Sequence, residues 1–103
     1  MIARLWHGVT PAEKSDAYLE FLRQRAIPDY RSTPGNRKVL ILRRVEADRA
    51  DFLLVTLWES LAAIARFAGR DVEKARYYPE DPQFLLEMEP KVTHYELAEE
   101  AGE

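Results

Sequence analysis

Residues 38–58 read KVLILRRVEADRADFLLVTLW, two apolar runs joined by a charged turn. Val39, Leu40, Ile41 and Leu42 form the first run; Phe52, Leu53, Leu54, Val55, Thr56, Leu57 and Trp58 form the second. Each run is too short for an independent helix and is bounded by polar residues. The stretch is therefore predicted to be a β-hairpin, with its turn near Ala47 to Ala50. A sheet with one wet face alternates apolar and polar side chains along each strand. Neither run does so: Val39, Ile41, Leu53, Val55 and Leu57 at odd positions are apolar, and so are Leu40, Leu42, Phe52, Leu54 and Trp58 at even ones. Both faces of the hairpin need a cover. Helices of the same chain supply one. A chain of 103 residues has little left for the other, so a second copy of the protein is expected there.

Working outward, Ile2 to Val9 (IARLWHGV) alternates loosely and reads as a first strand. Thr10-Pro11-Ala12-Glu13 carries helix-start signals: Thr10 as cap, Pro11 at the first helical position, Glu13 three residues after the cap. The first helix is expected to reach about Arg25, with Tyr18, Leu19, Phe21, Leu22 and Ala26 on one side. Pro28 stops it, or restarts it for one more turn over Ile27 to Ser32, and Thr33-Pro34-Gly35-Asn36 is a turn. Beyond the hairpin, Ser60 is expected to cap a second helix over Leu61 to Ala68, with Ile64, Phe67 and Ala68 inward and Gly69 ending it. Asp71 is placed as the cap of a short third helix, Val72 to Tyr77. Pro79 and Pro82 leave residues 80–86 as a loop or a turn of helix. Pro90 opens a last strand, Lys91 to Leu97, in which Val92, His94 and Glu96 face away from Thr93, Tyr95 and Leu97.

The resulting order, β-α-β-β-α-β, predicts an α+β, ferredoxin-like fold with an antiparallel-rich sheet and helices on one face. Right-handed connections place strands one and three in the centre. The bare apolar face predicts two sheets packed together in a two-fold homodimer. One domain is expected over residues 1–97, followed by an acidic flexible tail, 98–103. The net charge of −3 and the lack of a basic tract argue against a nucleic-acid partner. With no cysteine, disulfides and thiolate metal sites are excluded, and a reducing cytoplasm is the default compartment. No apolar run is long enough to span a bilayer, and MIARLWHG is not expected to be a secretory leader.

Several features together resemble a known family: the strand order, the junction Leu57-Trp58-Glu59-Ser60, the Ala63 and Phe67 after it, and the closing strand Thr93-His94-Tyr95-Glu96-Leu97. They resemble the antibiotic biosynthesis monooxygenase superfamily of dimeric α+β barrels, over the chain to about residue 97. The resemblance implies a fold more than a reaction, because the superfamily holds cofactor-independent quinone-forming oxygenases, heme-degrading oxygenases and small isomerases.

Candidate site residues follow from the residues and the resemblance together. In the heme-degrading branch an Asn in the first strand points into the cleft between sheet and helices. The resemblance thus implies that His7 sits on the floor of that cleft, as an acid–base residue with its pKa lowered by burial. A structural histidine is the alternative. His94 lies in the neighbouring last strand, either near His7 or at a dimer seam. Trp58 and Phe67 flank the second helix, as core or as cleft lining. Tyr18 and Phe21 wall the cleft from the first helix, and Asp29 and Tyr30 form a lid or only a helix stop. The resemblance sets Tyr77 where the heme-degrading members carry an iron-ligating histidine. Tyrosinate ligation needs a basic neighbour, and Arg76 is expected to point elsewhere; otherwise Tyr77 and Tyr78 form a rim at the cleft mouth. Among the strand arginines Arg4, Arg43 and Arg44, one facing a closed pocket would bind an anionic or quinonoid oxygen; pairing with Glu46 and Asp48 is the alternative. No phosphate loop, HExxH, nucleophile elbow or carboxylate metal cluster is present.

Two functions are therefore expected. One is a monooxygenase-like enzyme that needs no cofactor or metal and acts on an aromatic or polyketide-like small molecule in the helix–sheet cleft. The other is a non-catalytic dimer that holds a small ligand or heme.

Overall fold

The computed structural model describes residues 1–102; Glu103, the last residue of the acidic tail, lies outside the described residues. The chain runs through β1 (Ile2–Pro11), a 3-10 turn (Ala12–Lys14), α1 (Ser15–Phe21), a π-helical stretch (Leu22–Ala26), α2 (Ile27–Ser32), β2 (Asn36–Glu46), β3 (Arg49–Trp58), α3 (Leu61–Ala68) and β4 (Thr93–Glu96). The four strands form one antiparallel sheet in the order β2-β3-β1-β4, with the helices on one face, the ferredoxin-like α+β arrangement. No helix among the described residues is long and apolar enough to cross a membrane.

Register gives each hairpin residue its face. Trp6 pairs with Leu54, and Leu54 with Ile41, so these side chains share the helix-facing side. Phe52, Leu54, Thr56 and Trp58 are buried there beneath Tyr18, Leu22, Ala26, Tyr30, Ile64 and Phe67. The other parity, Leu5, His7, Leu53, Val55, Leu40 and Leu42, lies on the open face, where Leu40 and Leu42 are 43% and 49% exposed.

Two local expectations change, and one open alternative is settled. The helical start falls later than Thr10–Pro11 predicts: β1 continues through Pro11, the 3-10 turn over Ala12–Lys14 leads into α1, and the Thr10 hydroxyl donates to the Pro11 carbonyl in place of capping. The residue pairing of β1 with β3, which reaches Pro11 and Arg49, outweighs the local capping preference. The helical region takes the restart that Pro28 allowed, passing Arg25 through the π stretch to end at Ser32. Ile27 N–H bonds to Leu22 O, a wider turn just before Pro28, whose ring clashes with the carbonyl four residues back in a regular helix. The third helix is not formed. Residues 72–75 instead run beside residues 90–92, with Ala75 N–H on Pro90 O and Val92 N–H on Glu73 O. The Val72 and Lys74 carbonyls, which a helix would have used, accept from the Arg4 guanidinium. The second helix forms as its caps predict: Ser60 Oγ accepts from Ala63 N–H at 3.1 Å, and Gly69 leaves the helix at φ 91°. Residues 98–102 are exposed and form no helix or strand.

Candidate active site

The cleft between sheet and helices is lined by Trp6, Leu54, Tyr18, Leu22, Ala26, Tyr30, Arg76, Tyr78 and Asp81. Its helical wall is a stripe at four-residue spacing: Tyr18, Leu22, Ala26, Tyr30. At 3.6 residues per turn such a stripe drifts about 40° for each step of four. The wider π turn from Leu22 to Ala26 takes up part of that drift, so all four are buried. The sheet side is Trp6 and Leu54, cross-strand partners. The third side comes from residues 76–81, which follow the failed helix.

Polar groups converge here. Asp81 is only 1% exposed. One of its oxygens accepts the Tyr18 hydroxyl at 2.9 Å and the other accepts Tyr78 N–H at 2.6 Å. Burial holds its carboxyl above the ordinary range, against the pull of those two donors. Burial also raises the Tyr18 phenol, and the Asp81 charge adds to it. Tyr78 donates to Asp29 at 2.7 Å, and Arg76 pairs with the same carboxylate oxygen at 2.9 Å. The Arg76 guanidinium also lies over the Phe67 ring, 4.4 Å from its centroid. The indole N–H of Trp6 is buried without an acceptor. The free space is about 10 Å³, room for roughly one water, so a larger ligand must displace side chains.

His7 is not on the floor of this cleft. Its register opposite Leu53 turns it to the open face of the sheet, one parity away from Trp6. There Nδ1 lies 2.6 Å from a Glu89 carboxylate oxygen and Nε2 lies 2.9 Å from one of Asp51, and each ring N–H donates to the carboxylate it faces. The hydrogen bond to Glu89 raises the imidazole pKa above its ordinary value, burial opposes this, and Asp51 adds to the rise; the expected lowering is thereby reversed. A shallow depression of about 430 Å³ lies beside it, bordered by Leu42, Arg43, Arg44, Glu46, Asp51 and Leu53.

The remaining candidates are divided. Tyr18 and Tyr78 line the cleft. Phe21 packs outside it on Tyr18, Phe84 and Tyr78. Trp58 is core, with its N–H on Thr56 Oγ1 at 2.8 Å, and Phe67 stacks on Tyr30 at 4.4 Å. Tyr77 meets Trp6 edge-on and donates to the Glu89 carbonyl. His94 faces the helix layer, not His7, with Nε2 3.1 Å from Arg4 Nη1; burial and then the Arg4 charge lower its pKa. Of the strand arginines, Arg43 pairs with Asp16 at 2.7 Å and Arg44 with Glu46 at 2.8 Å, while Arg4 is 1% exposed. Among the described residues no three His, Asp or Glu side chains are placed to hold a metal ion. The sequence reading missed Trp6, Asp81 and Arg76 as cleft residues.

No family model and no curated protein matches the sequence. Solved structures do match. One, described as a candidate antibiotic biosynthesis monooxygenase from Nitrosomonas europaea, is 19% identical with a TM-score of 0.68, over 96% of this chain and 100% of that one. A second is the heme-degrader MhuD from Mycobacterium tuberculosis with two hemes in its active site, 19% identical at a TM-score of 0.68, over 99% of this chain and 100% of that one. A substituted MhuD with two manganese protoporphyrins per active site is 18% identical at a TM-score of 0.64, over the full length of both chains. At this identity the similarity establishes the fold.

Proposed function

We propose that this chain, which has the fold of the antibiotic biosynthesis monooxygenase structures, is a small cofactor-independent monooxygenase-like enzyme. Its substrate is an aromatic or polyketide-like molecule held in the helix–sheet cleft. The observation that carries this reading is Asp81: a buried carboxylate, made more basic by burial and oriented by Tyr18, inside a wall of aromatic side chains. Such a group accepts a proton from a phenol, an enol or an activated methylene. The resulting anion is electron-rich enough to reduce O₂ itself. For a methylene flanked by two rings, two C–H hydrogens leave, one oxygen atom becomes the product carbonyl and the other becomes water. The protein contributes desolvation, orientation and the proton acceptor.

The heme alternative meets an unsuitable donor set. Burial pushes the Tyr77 phenol up to about 12, and that phenol donates to the Glu89 carbonyl. Tyr78 is committed to Asp29 and is likewise raised, first by burial. His94 is turned to Arg4, and His7 is on the other face of the sheet. A tyrosinate ligand needs its deprotonated form stabilised, and these surroundings do the reverse.

The working unit is a homodimer through the open sheet face. Leu40 and Leu42 are about half exposed there beside Leu5, Leu53 and Val55, a contiguous apolar surface of the kind that a second copy covers. In this setting His7 is a positioning residue. Through Glu89 it ties residues 86–90 to the sheet, and these residues also hold Tyr77 against Trp6.

Oxygen consumption with anthrones or hydroquinones tests the reading. Uptake above the buffer rate, cut by about 10²-fold or more in Asp81→Asn, is expected for the loss of a general base. Uptake equal to buffer with every such substrate contradicts it.

A further inference from the structure

The segment that closes the cleft is pinned at its two ends and free of the sheet between them. Ala75 N–H bonds to Pro90 O at 2.9 Å, and Leu86 N–H bonds to Val9 O at 2.8 Å. Among the described residues, the backbone–backbone hydrogen bonds of residues 76–85 are all internal, as from Phe84 N–H to Asp81 O. Side-chain contacts fasten this segment to the helices. Arg76 and Tyr78 converge on the same Asp29 oxygen, at 2.9 and 2.7 Å. Arg25 pairs with Glu80 at 2.8 Å on the outside, and the Tyr18 hydroxyl donates to Asp81 at 2.9 Å within. A compact loop held this way can move as one piece for the loss of a few side-chain contacts, whereas a strand must break its ladder. The segment also covers Trp6: Tyr77 lies edge-on to the indole, whose buried N–H has no acceptor. With room in the cleft for about one water, a ligand enters only when a wall moves.

We propose that residues 76–85 are a hinged lid, latched by Asp29, and that its closure carries the proton acceptor Asp81 into place. On the reading of the cleft as the small-molecule site, on which this rests, the lid is the gate to that site. Asp29 is not among the side chains that line the cleft, so it is a positioning residue that acts through Arg76 and Tyr78. With the lid open, a ligand meets Trp6 and the helical wall but no proton acceptor. With the lid resettled on the ligand, Asp81 stands beside it and bulk water is shut out. Proton removal is thereby confined to a bound and enclosed ligand.

Hydrogen exchange at the two indole N–H groups, followed by NMR on the full chain without ligand, reads the lid directly. The Trp6 N–H has no hydrogen bond to break, so its protection is burial beneath the lid. The Trp58 N–H, bonded to Thr56 in the core, reports global opening. Asp29→Ala should speed Trp6 exchange about tenfold, the scale of one hydrogen bond to a charged group, and move Trp58 far less. Arg25→Ala, which removes the outer pair with Glu80, should act in the same direction by a smaller factor; it decides the matter if Asp29→Ala fails to fold. Acceleration of both indoles equally, or of neither, overturns the lid. Stopped-flow binding of 1,8-dihydroxyanthraquinone, read by tryptophan fluorescence, tests the gate. The observed rate should level off with ligand concentration at the opening rate, and Asp29→Ala should raise that plateau several-fold. A binding rate that Asp29→Ala leaves unchanged overturns the gate. Absence of binding overturns the small-molecule cleft, and indole exchange still decides the lid.

Discussion

Gly8→Ala is a small change with a large expected consequence, because Gly8 is the seat of Trp6. A Cβ at Gly8 would lie 2.4 Å from Cη2 and 2.8 Å from Cζ3 of Trp6, and 3.2 Å from Cδ2 of Leu85. The indole is buried and its far side meets Tyr77 at 5.9 Å between ring centroids, so it has little room to retreat. Overpacking of this kind costs about 1–3 kcal/mol. Removing a glycine favours the folded state by about 0.4–1 kcal/mol through the unfolded chain. Packing wins, with a net loss of roughly 0.5–2 kcal/mol. For a domain of this size that lowers Tm by roughly 3–15 °C. Thermal denaturation at fixed protein concentration measures it, and near-ultraviolet circular dichroism reports the displaced indole. Trp6→Leu in the same chain should relieve the clash, so the two substitutions couple by about 1 kcal/mol in a double-mutant cycle. A Gly8→Ala protein as stable as wild type with an unchanged near-ultraviolet spectrum would refute the packing of Trp6 described here.

The two histidines should give pH windows on opposite sides of the ordinary imidazole value. His7 is raised in the folded state, so its contribution is full below pH 6.5 and is lost as pH rises through the folded pKa. His94 is lowered, so its contribution is full above pH 6.5 and is lost as pH falls through the folded pKa. Tm against pH for His7→Gln and His94→Gln should flatten the upper and lower windows respectively, and an unchanged slope in either refutes its assignment. Sedimentation of the wild type at low micromolar concentration should give twice the chain mass of 12.0 kDa, and Leu42→Asp should give the single-chain mass with the fold retained. A monomeric wild type contradicts the sheet-face dimer. Titration with heme should give no strong Soret band at stoichiometric amounts; a strong band abolished by Tyr77→Phe would show that the tyrosine is a ligand after all.

Much of this architecture was legible because local and long-range signals agree. The hairpin's two-sided hydrophobicity and the Ser60 and Gly69 caps describe what the fold contains. The first strand is where the reading failed, and the reason is parity. Residues 2–9 carry apolar side chains on both faces, so periodicity alone does not say whether Trp6 or His7 points inward. Pairing with β3 decides it. One signal was available: Gly8 shares the face of Trp6, and a glycine inside a strand marks a close approach. The buried Arg4 breaks the expectation that charge stays outside. Its demand for carbonyls explains why residues 72–75 pair with residues 90–92 in place of a helix. That rearrangement brings Arg76 and Asp81 to the cleft, and no local pattern in residues 71–82 announces it.

The most direct test of the central claim is a structure of the protein with an anthraquinone-type product analogue bound. The account places the analogue in the helix–sheet cleft, against Trp6, Tyr18 and Asp81, with residues 76–85 shifted outward to admit it. An analogue seated instead on the open sheet face, in the depression beside His7, with the cleft still closed, would contradict it.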